Sequence, residues 1–177
     1  YHGGRFIIPS YTMPKTRSYD SINGYSPFDI GTTSCRYKAA TLAGKRLFVG
    51  NIRVWDGSNY NYYNDRMVVS PAGMLDTLPY PDNILDLDIS DGDEIVALSA
   101  VGDRVFQFKK RVCYILNIAT GIASEFFVED RFRWKGIENR NHLCNTDDGL
   151  FWFNETGAWL HNGEEIEDLF LKTDEDK

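Results

Sequence analysis

The stretch EIVALSAVGDRVFQFKKRVCYILNIATGIASEFFVED, residues 94–130, decides the fold. It holds four short runs rich in β-branched and aromatic residues, at 95–101, 104–108, 112–118 and 125–129. Gly102-Asp103, Lys109-Lys110-Arg111 and Ala119-Thr120-Gly121 separate them as turn signals. In the second run Val105 and Gln107 fall on one face, and Arg104, Phe106 and Phe108 on the other. Branched runs broken every seven residues or so cannot sustain a helix. The stretch predicts an antiparallel four-stranded meander.

Working outward, the same order of runs recurs on both sides. Before it come 37–42, 46–49, 52–55 and 67–69, with turns at Ala43-Gly44 and Gly50-Asn51. After it come 142–146, 150–153, 158–161 and 166–170, with turns at Asp147-Asp148-Gly149 and near Gly157. Blade-like units are therefore expected at about 37–70, 94–130 and 140–170, within an all-β region 37–177. Aligning Gly44, Gly102 and Gly149 gives offsets of 58 and 47 residues. A Tyr/Asn-rich loop at 59–65 and a connector containing Pro79 and Pro81 account for the longer one. Residues 1–36, rich in Gly, Pro, Ser and Tyr, read as an irregular arm that docks through Phe6, Tyr11, Tyr19 and Tyr25.

Four strands per ~40–50 residues is the period of propeller blades, although stacked meanders or a sandwich also space hairpins evenly. Three blades do not close a ring, since propellers use roughly 4–8. Open flanks expose unpaired backbone and invite association. Further blades are expected from a longer chain or from another one. A first residue of Tyr1 rather than Met points the same way, to a fragment or a processed product.

Composition narrows the function. With 42% apolar and 14% aromatic residues in 177, the chain can build a core, and no apolar run reaches the ~20 residues of a membrane helix. The net charge of -7 repels nucleic acid and anionic membranes. Residues 1–66 hold nine Lys/Arg against four Asp/Glu (+5), and residues 67–177 ten against twenty-two (-12), so different surfaces are expected to meet different neighbours. Cys35, Cys113 and Cys144 form no C-x-x-C pair, which suits assembly in a reducing cytoplasm.

No stretch carries a strong catalytic signature, and the chain is read as a non-enzyme. The acidic run 86–94 offers Asp86, Asp88, Asp91 and Asp93 as oxygen ligands for a structural calcium ion. Its spacing misses the helix–loop–helix calcium pattern, so a strand with a carboxylate face and an Asp-Gly turn is the better reading. No other cofactor is expected. His2, His142 and His161 are scattered, and His161 precedes an Asn162-Gly163 turn, which places it at the surface. Lys109, Lys110 and Arg111 are expected to be solvated in their turn. Phe106/Phe108, Phe126/Phe127 and Phe151/Trp152/Phe153 are expected in the core; Trp55, Trp134 and Trp159 suit either an interface, where Trp is enriched, or the core, which is the better reading. Trp55, Tyr60, Tyr62 and Tyr63 are the candidate interface residues, because a Tyr/Asn-rich loop exposes amphipathic rings.

The runs GDEIVALSAVGDRVFQFKKRVCYILNI (92–118), FRWKGI (132–137) and TDDGLFWFNETGAWLHNGEEIEDL (146–169) resemble virion structural proteins of tailed bacteriophages. They are similar to the propeller-containing tail tube, nozzle and DNA-stabilisation components of short-tailed phages. The resemblance covers about half the chain and implies a non-enzymatic tail component, assembled in the host cytoplasm. Its implied partners are copies of itself and portal, adaptor or tail proteins, set in a ring around the DNA exit channel. Genomic DNA would pass through without specific binding, past a lumen of carboxylates. Two other functions fit a propeller: a glycan-binding or glycan-cleaving module, and a cellular scaffold that binds peptides.

Overall fold

Period-two alternation and tight turns produce three separate four-stranded sheets among the described residues. The structure, a computed structural model, describes residues 19–20, 24–25, 35–55, 58–75, 78, 83–88 and 92–170. Among these residues there is no α-helix, and hence none long and apolar enough to cross a membrane. Strands β1 (Tyr19–Asp20) and β2 (Gly24–Tyr25) form a small antiparallel pair. Of the arm expected over 1–36, Cys35 and Arg36 instead open the first sheet, and apart from β1 and β2 the rest, with Phe6, Tyr11 and the docking, lies outside the described residues.

The first sheet runs in the order β3 (Cys35–Ala43), β4 (Arg46–Trp55), β5 (Tyr60–Val69) and β6 (Ile84–Leu85). The second is β7 (Ile95–Val101), β8 (Arg104–Lys109), β9 (Val112–Asn117) and β10 (Phe127–Arg133). The third is β11 (Leu143–Thr146), β12 (Gly149–Asn154), β13 (Gly157–His161) and β14 (Ile166–Asp168). All pairings are antiparallel between sequence neighbours, so each sheet is a four-stranded meander and none closes on itself.

The second and third sheets follow the expected runs to within a few residues. The first does not. Gly50-Asn51 is no turn: β4 continues through it as a bulge, with the register slipping between Gly50 and Ile52 and Asn51 at φ 56°. Asn tolerates that left-handed conformation, and the Asn51 amide donates to the Ile95 carbonyl at 3.0 Å, so the neighbouring sheet holds the extra residue. The supposed loop at 59–65 is mostly strand β5, and the fourth strand is β6, beyond the expected limit at 70. Nor does the acidic run begin as a strand, because β6 ends before Asp86 and 87–88 form a bend; Ile89 to Asp91 lie outside the described residues.

The turn-closing pairs are Ala43↔Arg46, Val101↔Arg104 and Thr146↔Gly149. They relate the sheets by offsets of 58 and 45 residues, so Gly149 opens a strand instead of matching Gly102 in its turn. In this register Phe48, Phe106 and Phe151 are equivalent. Their cross-strand partners Val69, Ile115 and Leu160 are equivalent too.

The second sheet lies between the other two. Ile95, Leu98, Val105 and Leu116 on one face pack with Phe48, Met67 and Val69 of the first sheet. On its opposite face Ala97, Phe106, Phe108, Cys113 and Ile115 pack with Leu150, Trp152 and Trp159 of the third. A third cluster, Val49, Ile52, Val68 and Leu78, covers the far face of the first sheet. Successive first strands are neighbours: β3 lies beside β7, and the Ser99 hydroxyl of β7 donates to Asn145 Oδ1 of β11 at 2.9 Å.

The chain returns from β10 to β11 across the β8–β9 turn. Trp134 N–H donates to the Arg111 carbonyl at 2.7 Å, and Ile137 N–H to that of Lys109 at 3.0 Å. Between them Gly136 passes so close that an added Cβ would collide with the Lys109 and Lys110 carbonyls. Asn154 Nδ2 donates to the Trp134 and Gly136 carbonyls, both at 2.8 Å, and Trp152 Nε1 to that of Lys135 at 3.0 Å.

Candidate interaction surface

Strands β3, β4 and β5 are nine and ten residues long, against four to seven in β7–β9 and β11–β13. The candidate interface residues lie at the far end of this longer sheet, where Trp55 pairs with Tyr60, Arg53 with Tyr62 and Ile52 with Tyr63. Alternation brings only some of them together. The Arg53 guanidinium lies 4.6 Å from the Tyr60 ring and 5.6 Å from that of Tyr62, and Nη1 donates to the Tyr62 hydroxyl at 3.4 Å. Tyr62 is 64% exposed. Tyr63 turns to the opposite face and packs on the Val49, Ile52 and Val68 cluster, with Arg66 4.6 Å from its ring. Trp55 is placed on β4, and its side chain lies outside the described residues.

The described carboxylates of the acidic run are engaged by protein groups. Asp86 takes a bidentate bond from Arg66, with Nε and Nη2 at 2.9–3.1 Å. Asp88 accepts from the Tyr114 hydroxyl at 2.7 Å and from Arg131 at 2.8 Å. Asp93 accepts the Lys110 and Arg111 N–H groups at 3.1 and 2.9 Å, and so fixes the β8–β9 turn. Asp91 lies outside the described residues. Among the described residues no three His, Cys, Asp or Glu side chains converge as metal ligands.

Two ion-pair hubs staple adjacent sheets. Glu94, just ahead of β7, meets Lys38 of β3 at 2.9 Å, Asn51 of β4 at 3.0 Å and Lys110 at 3.1 Å. The Lys38 bond, with those from Lys110 and Asn51, outweighs desolvation and lowers its pKa from 4.5 to about 2. It borders a cleft of about 330 Å³ shared with Glu138 and Arg140, where the first strands converge. The second hub is Arg104, which grips Glu129 bidentately at 2.8–3.0 Å and donates to the Gly163 carbonyl of the third sheet at 2.8 Å. Asn117 also donates to Glu129, at 2.9 Å. Arg104 is the main cause that holds the Glu129 carboxyl below its usual range.

Several expectations about single residues are corrected here. His161 is not a surface turn residue but 2% exposed; β13 aims it at the second sheet, where its ring meets Phe106 edge-on at 4.8 Å. Its Nδ1 accepts the Gly163 N–H at 3.1 Å, and burial, followed by the Arg104 charge, lowers its pKa. Lys109 ends β8 and is fully buried, donating to the Asp88 carbonyl at 2.6 Å; only Lys110 and Arg111 form the turn. Phe127 and Phe153 are exposed, and so is Trp134, at 67%. Trp134 also holds φ at 67°, a conformation bulky residues avoid, fixed by hydrogen bonds at its N–H and carbonyl. The core placement preferred for it does not hold, because no local pattern marks a Trp whose backbone is held by a distant Asn-x-Thr turn.

No protein-family model matches the chain, and no curated protein matches it.

Proposed function

We propose that the chain is a non-enzymatic structural component of a virion: a propeller-type segment that works by packing into a phage tail or portal-proximal assembly. The observation that carries the packing role is the repeat itself. Three four-stranded meanders stack face to face through equivalent positions, with their first strands side by side, as blades do around an axis. The viral setting comes from the resemblance over residues 92–169. Partners in this reading are copies of the chain and portal, adaptor or tail proteins, with DNA passing an acidic wall to which it does not stick. The exposed Tyr62 and Trp134 rings suit such contacts, since aromatic anchors dominate interfaces.

The test is composition and place. In phage particles purified from a lysate that produces the chain, several copies per particle and an electron-microscopy label at the tail are expected. A chain left in the soluble fraction as a monomer that turns over a glycan contradicts the reading.

A further inference from the structure

The register of the three sheets exposes an unfilled contact. Phe48 of the first sheet is fully buried among Ile95, Leu98, Val105 and Leu116 of the second. Its equivalent Phe106 is fully buried against the third, 6.4 Å from the Trp152 ring and 4.8 Å from that of His161. The third equivalent, Phe151, points away from the second sheet and is half-buried. The rest of the pattern follows it. Phe108 is fully buried and its equivalent Phe153 is 41% exposed; Ile115 is 2% exposed and its equivalent Leu160 is only half-buried. Cys144, paired with Phe151 across the ladder, is exposed on the same face.

We propose that this outer face of the third sheet docks a fourth four-stranded antiparallel sheet, contributed by polypeptide outside these 177 residues. Continuity with the two sheet–sheet interfaces already in the molecule defines what that sheet presents. Each Phe face is covered by alternate positions of the next sheet's second and third strands: Val105 and Leu116 over Phe48, then Leu150, Trp152 and Trp159 over Phe106 and Phe108. The occupant is therefore a sheet with large aliphatic or Trp side chains at those positions. A second copy of the chain has no such face free among its described residues. The corresponding face of its first sheet, Val49 and Val68, is fully buried beneath Leu78, and the other two such faces are used internally. The inference rests on the packing role proposed above and not on its viral setting. Particle composition tests the latter, and thiol chemistry tests this.

Peptide-resolved alkylation of the folded chain reads the face directly. Cys144 is expected to react within tenfold of a free thiol while buried Cys113 does not. Phe153→Ser is expected to halve dye binding to exposed apolar surface and to shift Tm far less than Phe108→Ser. A protected Cys144, or equal Tm losses, means that another part of the chain already covers the face, and overturns the proposal. The docking step is probed by fusing a further copy of residues 138–170 after Lys177. That unit carries the Leu150, Trp152 and Trp159 face the site is argued to accept. Alkylation of the original Cys144 is expected to slow at least tenfold, and Phe153→Lys in the original sheet to restore it. An unchanged rate overturns the proposal.

Discussion

Gln107 stands in the wrong company for an amide. It lies on β8 between Leu98 and Tyr114 across the ladder, is fully buried, and neither its Nε2 nor its Oε1 has a hydrogen-bond partner among the described residues. The register makes Val49 and Trp152 its equivalents, both apolar. Burying an amide without partners costs about 1–3 kcal/mol by protein mutational measures. Replacing Gln107 by Met keeps the length and near-volume of the side chain and removes both orphan atoms, so strain adds little. Gln107→Met is therefore expected to stabilise the chain by about 2 kcal/mol, raising Tm by about 4–8 °C at this chain length. Urea unfolding followed by Trp fluorescence checks it: the midpoint is expected to rise with the slope unchanged. A loss of stability of about 1 kcal/mol or more refutes the reasoning. It would mean that the amide is satisfied by a bound water or another group and that the polar site has a role.

Gly136→Ala places a methyl on two backbone carbonyls and is expected to cost at least about 2 kcal/mol, measured by the same urea titration. Glu94→Gln is expected to cost about 1 kcal/mol, since its lysine partners are half exposed and screened. Because the Glu94 carboxyl is lowered from 4.5 to about 2, its contribution is complete above pH 4.5 and fades as pH falls toward 2; the variant should flatten the acid limb of a stability–pH curve there. His161 has its pKa lowered from 6.5, so the unfolded chain binds the extra proton and stability declines as pH drops below 6.5. His161→Phe is expected to remove that slope in thermal melts between pH 7 and 5, and a slope that persists assigns it to another group.

Sheet two was legible because its turns are short and its strands alternate cleanly, as with Phe106 and Phe108 against Val105. The first sheet was not. A Gly-Asn pair signals a hairpin locally, and only the distant Ile95 carbonyl and Glu94, which bind the Asn51 amide, convert it into a bulge. The Tyr60–Tyr63 segment reads as a polar loop because it projects past the core and gains its order from pairing with β4 and from Arg53 and Arg66 over its rings. Lys109 and His161 defeat hydropathy for another reason. Strand register buries them, and Asp88 and Gly163 backbone groups meet their polar ends. The tyrosines among the four interface candidates share one strand end but not one face. A one-residue difference in phase separates exposed Tyr62 from Tyr63 in a core cluster.

The repeat that organises all of this is tested most directly by one urea series on three equivalent positions, Phe48→Ala, Phe106→Ala and Phe151→Ala. The first two side chains are fully enclosed between sheets, so each truncation is expected to cost about 3–5 kcal/mol. The third, on the open face, should cost about 1 kcal/mol in the isolated chain. Three equal losses, or a Phe48→Ala variant as stable as the parent, would contradict the stacking of like sheets through like positions.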